Sequence, residues 1–117
     1  MSPFVAAWAR AFAATVAVEL AVAAPLLGGR APWSRRLAAV VLANLCSHPV
    51  VWLVIPELGL GWPAWIVVAE LWAFAIEALL YGVVFAGQAR RAVVASLAAN
   101  AASLALGLLL RAAGLPI

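Results

Sequence analysis

Four apolar runs of about twenty residues each follow one another along this chain, with only short polar breaks between them. That feature decides the fold class before any motif is considered. A helix needs about 20 mostly apolar residues to cross roughly 30 Å of hydrocarbon. In hydrocarbon only helices and closed barrels satisfy their own backbone. The runs fall at about 4–27, 37–55, 64–86 and 92–110. The expected fold is an all-α membrane protein, a single domain over 1–117 built as a bundle of four transmembrane helices with short loops.

Composition agrees. The chain is 69% hydrophobic and 9% charged, against about 45–50% and about 25% in an ordinary soluble domain. Its polar side chains are too few to cover a wet surface, and four spans with their turns use nearly all 117 positions, leaving no room for an extramembrane domain. All seven basic residues are arginines at or near the ends of apolar runs. Topology therefore explains the pI near 10.6 better than a nucleic-acid partner does. The single Cys46 excludes an intramolecular disulfide and a cysteine-cluster metal site. The first run reads as a retained span rather than a signal peptide, because no basic side chain precedes Arg10 and Glu19 interrupts the apolar stretch.

Local punctuation places the turns. Pro25 and Gly28-Gly29 close the first span, and Ser34 is the expected N-cap of the second, which stops at Pro56. Pro63 suits the first turn of the third, which ends at Gly87. Arg30, Arg35 and Arg36 occupy the first loop, Arg90 and Arg91 the third, and the middle loop has none. The positive-inside rule then predicts a prokaryotic cytoplasmic-membrane protein with both termini and the middle loop outside. Trp8, Trp52, Trp62 and Trp65 fall near that outer boundary, as an interfacial aromatic belt would; Arg10 and Arg111 lie on the same side against the rule.

The functional signal is polar residues inside the spans. Counted from the cytoplasmic helix ends at about 1.5 Å per residue, Glu19, Asn44, Glu77 and Asn100 share one level, about 11–14 Å in. His48 and Ser103 lie about one turn further out. Asn44 and His48 share a face, and Ser96, Asn100, Ser103 and Gly107 form one stripe. Glu70 and Glu77 are two turns apart with Tyr81 continuing their face, and Thr15 shares the face of Glu19. Arg10 points about 180° away from Glu19 and is expected to snorkel outward.

Ionisable side chains near a helix centre cost on the order of 2.5–3.5 kcal/mol each, so they face the bundle and find partners. The layer holds three carboxyls and one potential cation, His48. Either some carboxyls keep their protons or a cation enters. Pro49 leaves the Leu45 carbonyl without its helical donor and is expected to bend the helix beside His48.

The candidate proton- or cation-binding residues are thus Glu19, Asn44, His48, Glu70, Glu77, Asn100 and Ser103. For a metal, mixed ligands from Glu19, His48 and Glu77 would suit Zn, Mn or Fe. Glu70 and Glu77, with Cα atoms about 10.5 Å apart, are too distant to share one ion easily. Asn44 and Asn100 also suit interhelical hydrogen bonds, and His48 a bond to Ser103. Trp72 and Cys46 read as packing residues. Neither HExxH, GxSxG nor a Walker loop occurs. The leading expectation is a proton- or metal-cation-coupled carrier or channel-like protein, working as a homo-oligomer or with a membrane partner subunit in the lipid bilayer. The alternatives are an intramembrane metalloenzyme acting on a lipid-like substrate and a non-catalytic membrane assembly subunit.

Overall fold

The computed structural model describes residues 1–115 as four helices and one short turn. The helices are α1 (Pro3–Leu26), α2 (Trp33–Leu53), α3 (Trp62–Val84) and α4 (Ala89–Ala112), with a 3₁₀ turn at Ile55–Leu58 between α2 and α3. All four helical segments are long and apolar enough to cross a membrane. At about 1.5 Å per residue a 24-residue helix is about 36 Å long, which fits the 41 × 25 × 24 Å envelope of an upright bundle.

Local sequence explains most of the boundaries. Ser2 caps α1, its hydroxyl accepting from the Val5 N–H at 3.2 Å, and Pro3 follows in the first turn. Pro63 occupies the first turn of α3 as expected. The start of α2 differs from expectation. Ser34 lies inside the helix, and Pro32 begins it, its carbonyl accepting from the N–H groups of Arg35 and Arg36 at 3.1 and 3.2 Å. The fixed φ of proline, −65° here, already suits a helix start, so no side-chain cap is needed. At the far end α2 stops at Leu53, and Pro56 falls within the 3₁₀ turn. Gly28, at φ +92°, reverses the chain after α1. Arg36 folds back over this turn, donating to the carbonyls of Ala31 and Gly29 at 3.0 and 3.2 Å.

Each helix packs against its neighbours in chain order and α4 closes against α1, so α1 and α3 face each other diagonally, as do α2 and α4. The dry core occupies the half of the bundle next to the α1–α2 and α3–α4 turns. It is alanine-rich, with Ala23, Ala39, Ala43, Ala95 and Ala99 around Leu27, Val40, Tyr81 and Phe85. Small side chains let helix backbones approach closely. Large apolar residues point outward instead: Val83 is 72% exposed and Leu109 68%. Polar groups inside and aliphatic groups outside is the inverse of a water-soluble bundle.

Candidate functional site

Glu19, Asn44, Glu77 and Asn100, expected at one level on four different helices, meet at the centre of the bundle, and all four are buried. Hydrogen bonds link them into a ring. Asn44 Nδ2 on α2 donates to Oε2 of Glu19 on α1 at 2.8 Å. The Ser47 hydroxyl, also on α2, donates to Oε1 of Glu77 on α3 at 3.3 Å. Asn100 Nδ2 on α4 donates to Oε2 of Glu77, and to the Ser96 carbonyl at 2.9 Å. The Ser103 hydroxyl on α4 donates to Oε1 of Glu19 at 3.4 Å. Every neighbouring pair of helices is thereby tied at the same depth.

The two carboxyls, of Glu19 and Glu77, lie on diagonally opposite helices, both 1% exposed and both lining one cavity. Two ionised carboxylates buried together would be uncompensated like charges, so a proton or a cation has to accompany them.

This pair forms the floor of a cavity of about 260 Å³. Its walls rise through Thr15, His48, Glu70, Ser103 and Leu104 to Trp52, Trp62, Trp65, Gly107 and Arg111. The cavity thus runs from the carboxyl pair towards the end that carries the chain termini and the α2–α3 turn. Arg111 stands at the mouth with its guanidinium 4.8 Å from the centre of the Trp62 ring, a cation–π distance. On the opposite side of the carboxyls, Tyr81 and the alanine-rich core fill the bundle.

The remaining candidates separate by position. Glu70 is half-buried on the cavity wall, two turns from Glu77. His48 is buried and lines the cavity, yet its ring lies among aromatics, 5.3 Å from Phe12 and 6.2 Å from both Trp8 and Trp52 between centroids. Its Nδ1 has no hydrogen-bond partner among the described residues, and Ser103 bonds to Glu19 and to the Asn100 carbonyl instead. Among the described residues no three His, Cys, Asp or Glu side chains group as metal ligands. His48 faces the aromatic side of α1, beside Trp8 and Phe12. Arg10 is exposed, as its helical phase requires.

Sequence reasoning missed three contributors. Ser47 sits at i+3 from Asn44, a position as close in space as the i+4 of His48, and that spacing could have revealed it. Trp72 does more than pack, since its indole N–H donates to the Ser47 carbonyl at 3.2 Å. Arg111, read only as an exception to the topology rule, borders the cavity. Comparison with protein-family models, curated proteins and solved structures returns no match to this chain.

Proposed function

We propose that the chain is an integral protein of a prokaryotic cytoplasmic membrane and acts there as a small proton-coupled cation carrier. One observation carries this reading: two carboxyls from diagonally opposite helices, Glu19 and Glu77, lie buried together at the floor of a one-ended vestibule. A buried carboxyl pair that can hold a proton in one state and release it in another is the elementary part of a proton-coupled device. Structural hydrogen bonds between membrane helices average about 0.6 kcal/mol. That is less than the insertion cost of even one central carboxyl, on the order of 2.5–3.5 kcal/mol. A purely structural ring would accordingly be better built from amides and hydroxyls.

The arginines of the first and third loops support an orientation with those loops in the cytoplasm and both termini outside. In that orientation the vestibule opens to the exterior and the alanine-rich half forms an inner seal. A bundle this thin is expected to work as a homo-oligomer or beside a partner subunit.

The test is proton movement in liposomes containing the purified protein and a pH-sensitive dye. The wild-type chain should couple proton flux to an imposed cation gradient, and Glu77→Gln should abolish that flux. A Glu77→Gln protein as active as wild type would sink the proposal. A second reading, in which the ring only fixes helix register, is favoured by its continuity around all four helices. Cellular function surviving simultaneous Glu19→Gln and Glu77→Gln replacement would decide for that reading.

A further inference from the structure

Floor and walls of the vestibule differ in chemistry, and together they specify one class of occupant. Glu19 and Glu77 lie on the floor and Glu70 on the wall above them, three carboxyls around one cavity. The guanidinium nearest the cavity, Arg111, is engaged over the Trp62 ring at the mouth. Against three carboxyls the lining supplies one guanidinium, so the cavity favours a cationic occupant.

A second, independent observation concerns hydrogen-bond donors. Asn44 is 1% exposed and lines the cavity. Its amide nitrogen serves Glu19 and the Val40 carbonyl, whereas its Oδ1 is buried with no partner among the described residues. His48 is 8% exposed, lines the same cavity, and has an unpartnered Nδ1. A buried acceptor left without a donor is costly, and an N–H group held beside Asn44 would give its Oδ1 a partner. The walls add a third constraint. Trp52, Trp62 and Trp65 line the cavity, and indole rings suit an apolar body and attract a cation. A volume of about 260 Å³ falls just under the roughly 300–1,000 Å³ of drug-sized pockets, so the body is one ring or a short aliphatic chain.

Resting on the carrier reading, we infer that this site takes a small protonated amine, its ammonium group on the Glu19, Glu77 and Asn44 floor and its apolar body against the tryptophans. A quaternary ammonium supplies the charge but no N–H, and a neutral alcohol supplies a donor without the charge. That contrast makes the inference testable on the unmodified chain.

The experiment is calorimetric titration of the full-length protein in lipid nanodiscs with four ligands of similar shape: phenethylammonium, phenethyltrimethylammonium, 2-phenylethanol and 3-phenylpropionate. Phenethylammonium should bind one per chain. The alcohol and the carboxylate should bind at least about ten-fold more weakly, a difference of about 1.4 kcal/mol, and the quaternary ion several-fold more weakly. Glu77→Gln should weaken the amine by a similar factor in a protein that keeps its helical circular dichroism. Equal binding of amine and alcohol would make the cavity a plain apolar pocket and overturn the inference. Absence of amine binding while Glu77-dependent proton flux persists would overturn the amine and leave the carrier reading standing. Amine binding without such flux would support the amine site and remove the coupling.

Discussion

At the scale of single residues, Asn100 carries more of the site than any other neutral side chain. It donates to Glu77 and to both the carbonyl and the hydroxyl of Ser96, whereas Ser47 contributes one bond of 3.3 Å. Replacing Asn100 by Leu leaves a buried carboxyl short of its donor, a loss of about 1.5–3 kcal/mol for a hydrogen bond to a charged group. Ser47→Ala should cost no more than about 1 kcal/mol, close to the average for bonds between membrane helices. Unfolding in mixed micelles by graded denaturing detergent measures both, and Ser47→Ala as costly as Asn100→Leu would contradict the ranking. The level shared by Glu19, Asn44, Glu77 and Asn100 was legible in the sequence because helix rise is constant and the arginine-bearing loops supply a common origin. The roles of Ser47 and His48 were not. Both lie on the inward side of α2, but that side divides between two neighbours: Asn44 and His48 face α1, while Ser47 faces α3. Helical phase alone does not say where such a division falls.

At the scale of elements, the turn between α1 and α2 is the most tightly specified joint. A Cβ placed on Gly28 would sit 2.8 Å from Nε of Arg36 and 3.2 Å from Cβ of Ala31, at a φ of +92° that side chains rarely adopt. Gly28→Ala should therefore combine backbone strain of about 1–3 kcal/mol with displacement of Arg36 from the Ala31 and Gly29 carbonyls. The expected result is a clearly lowered thermal midpoint in detergent, with Gly107→Ala as a nearly neutral comparison because nothing lies within 4 Å of its added Cβ. An unchanged midpoint for Gly28→Ala would show that the turn repacks freely. Helix number and approximate span limits were readable from the apolar runs, since length and hydropathy fix them directly. The start of α2 was misjudged because a cap preference for serine competes with the preset φ of Pro32, and the proline wins.

At the scale of the whole molecule, the two halves of the bundle are unlike: one holds a polar-floored vestibule and the other a dry, alanine-rich seal. This asymmetry predicts one-sided access. In a Cys46→Ser background, Gly107→Cys should react in intact cells with a membrane-impermeant maleimide, because Gly107 borders the vestibule. Ala95→Cys, at a position 0% exposed within the seal, should stay unlabelled. Reaction of Gly107→Cys only after permeabilisation would reverse the proposed orientation, and strong labelling of Ala95→Cys would deny the seal.

The sequence of surfaces along the vestibule has a consequence for hydration. On the carrier reading, a passenger entering from the mouth first exchanges part of its water shell for indole rings, which offer modest attraction and no fixed geometry. Only afterwards does it reach the carboxyls and the Asn44 amide of the floor. Dehydration is thus divided into two smaller steps instead of one large one. Entry should favour ions that part with water readily over compact ions that hold it tightly, so the mouth sorts by hydration before the floor sorts by charge.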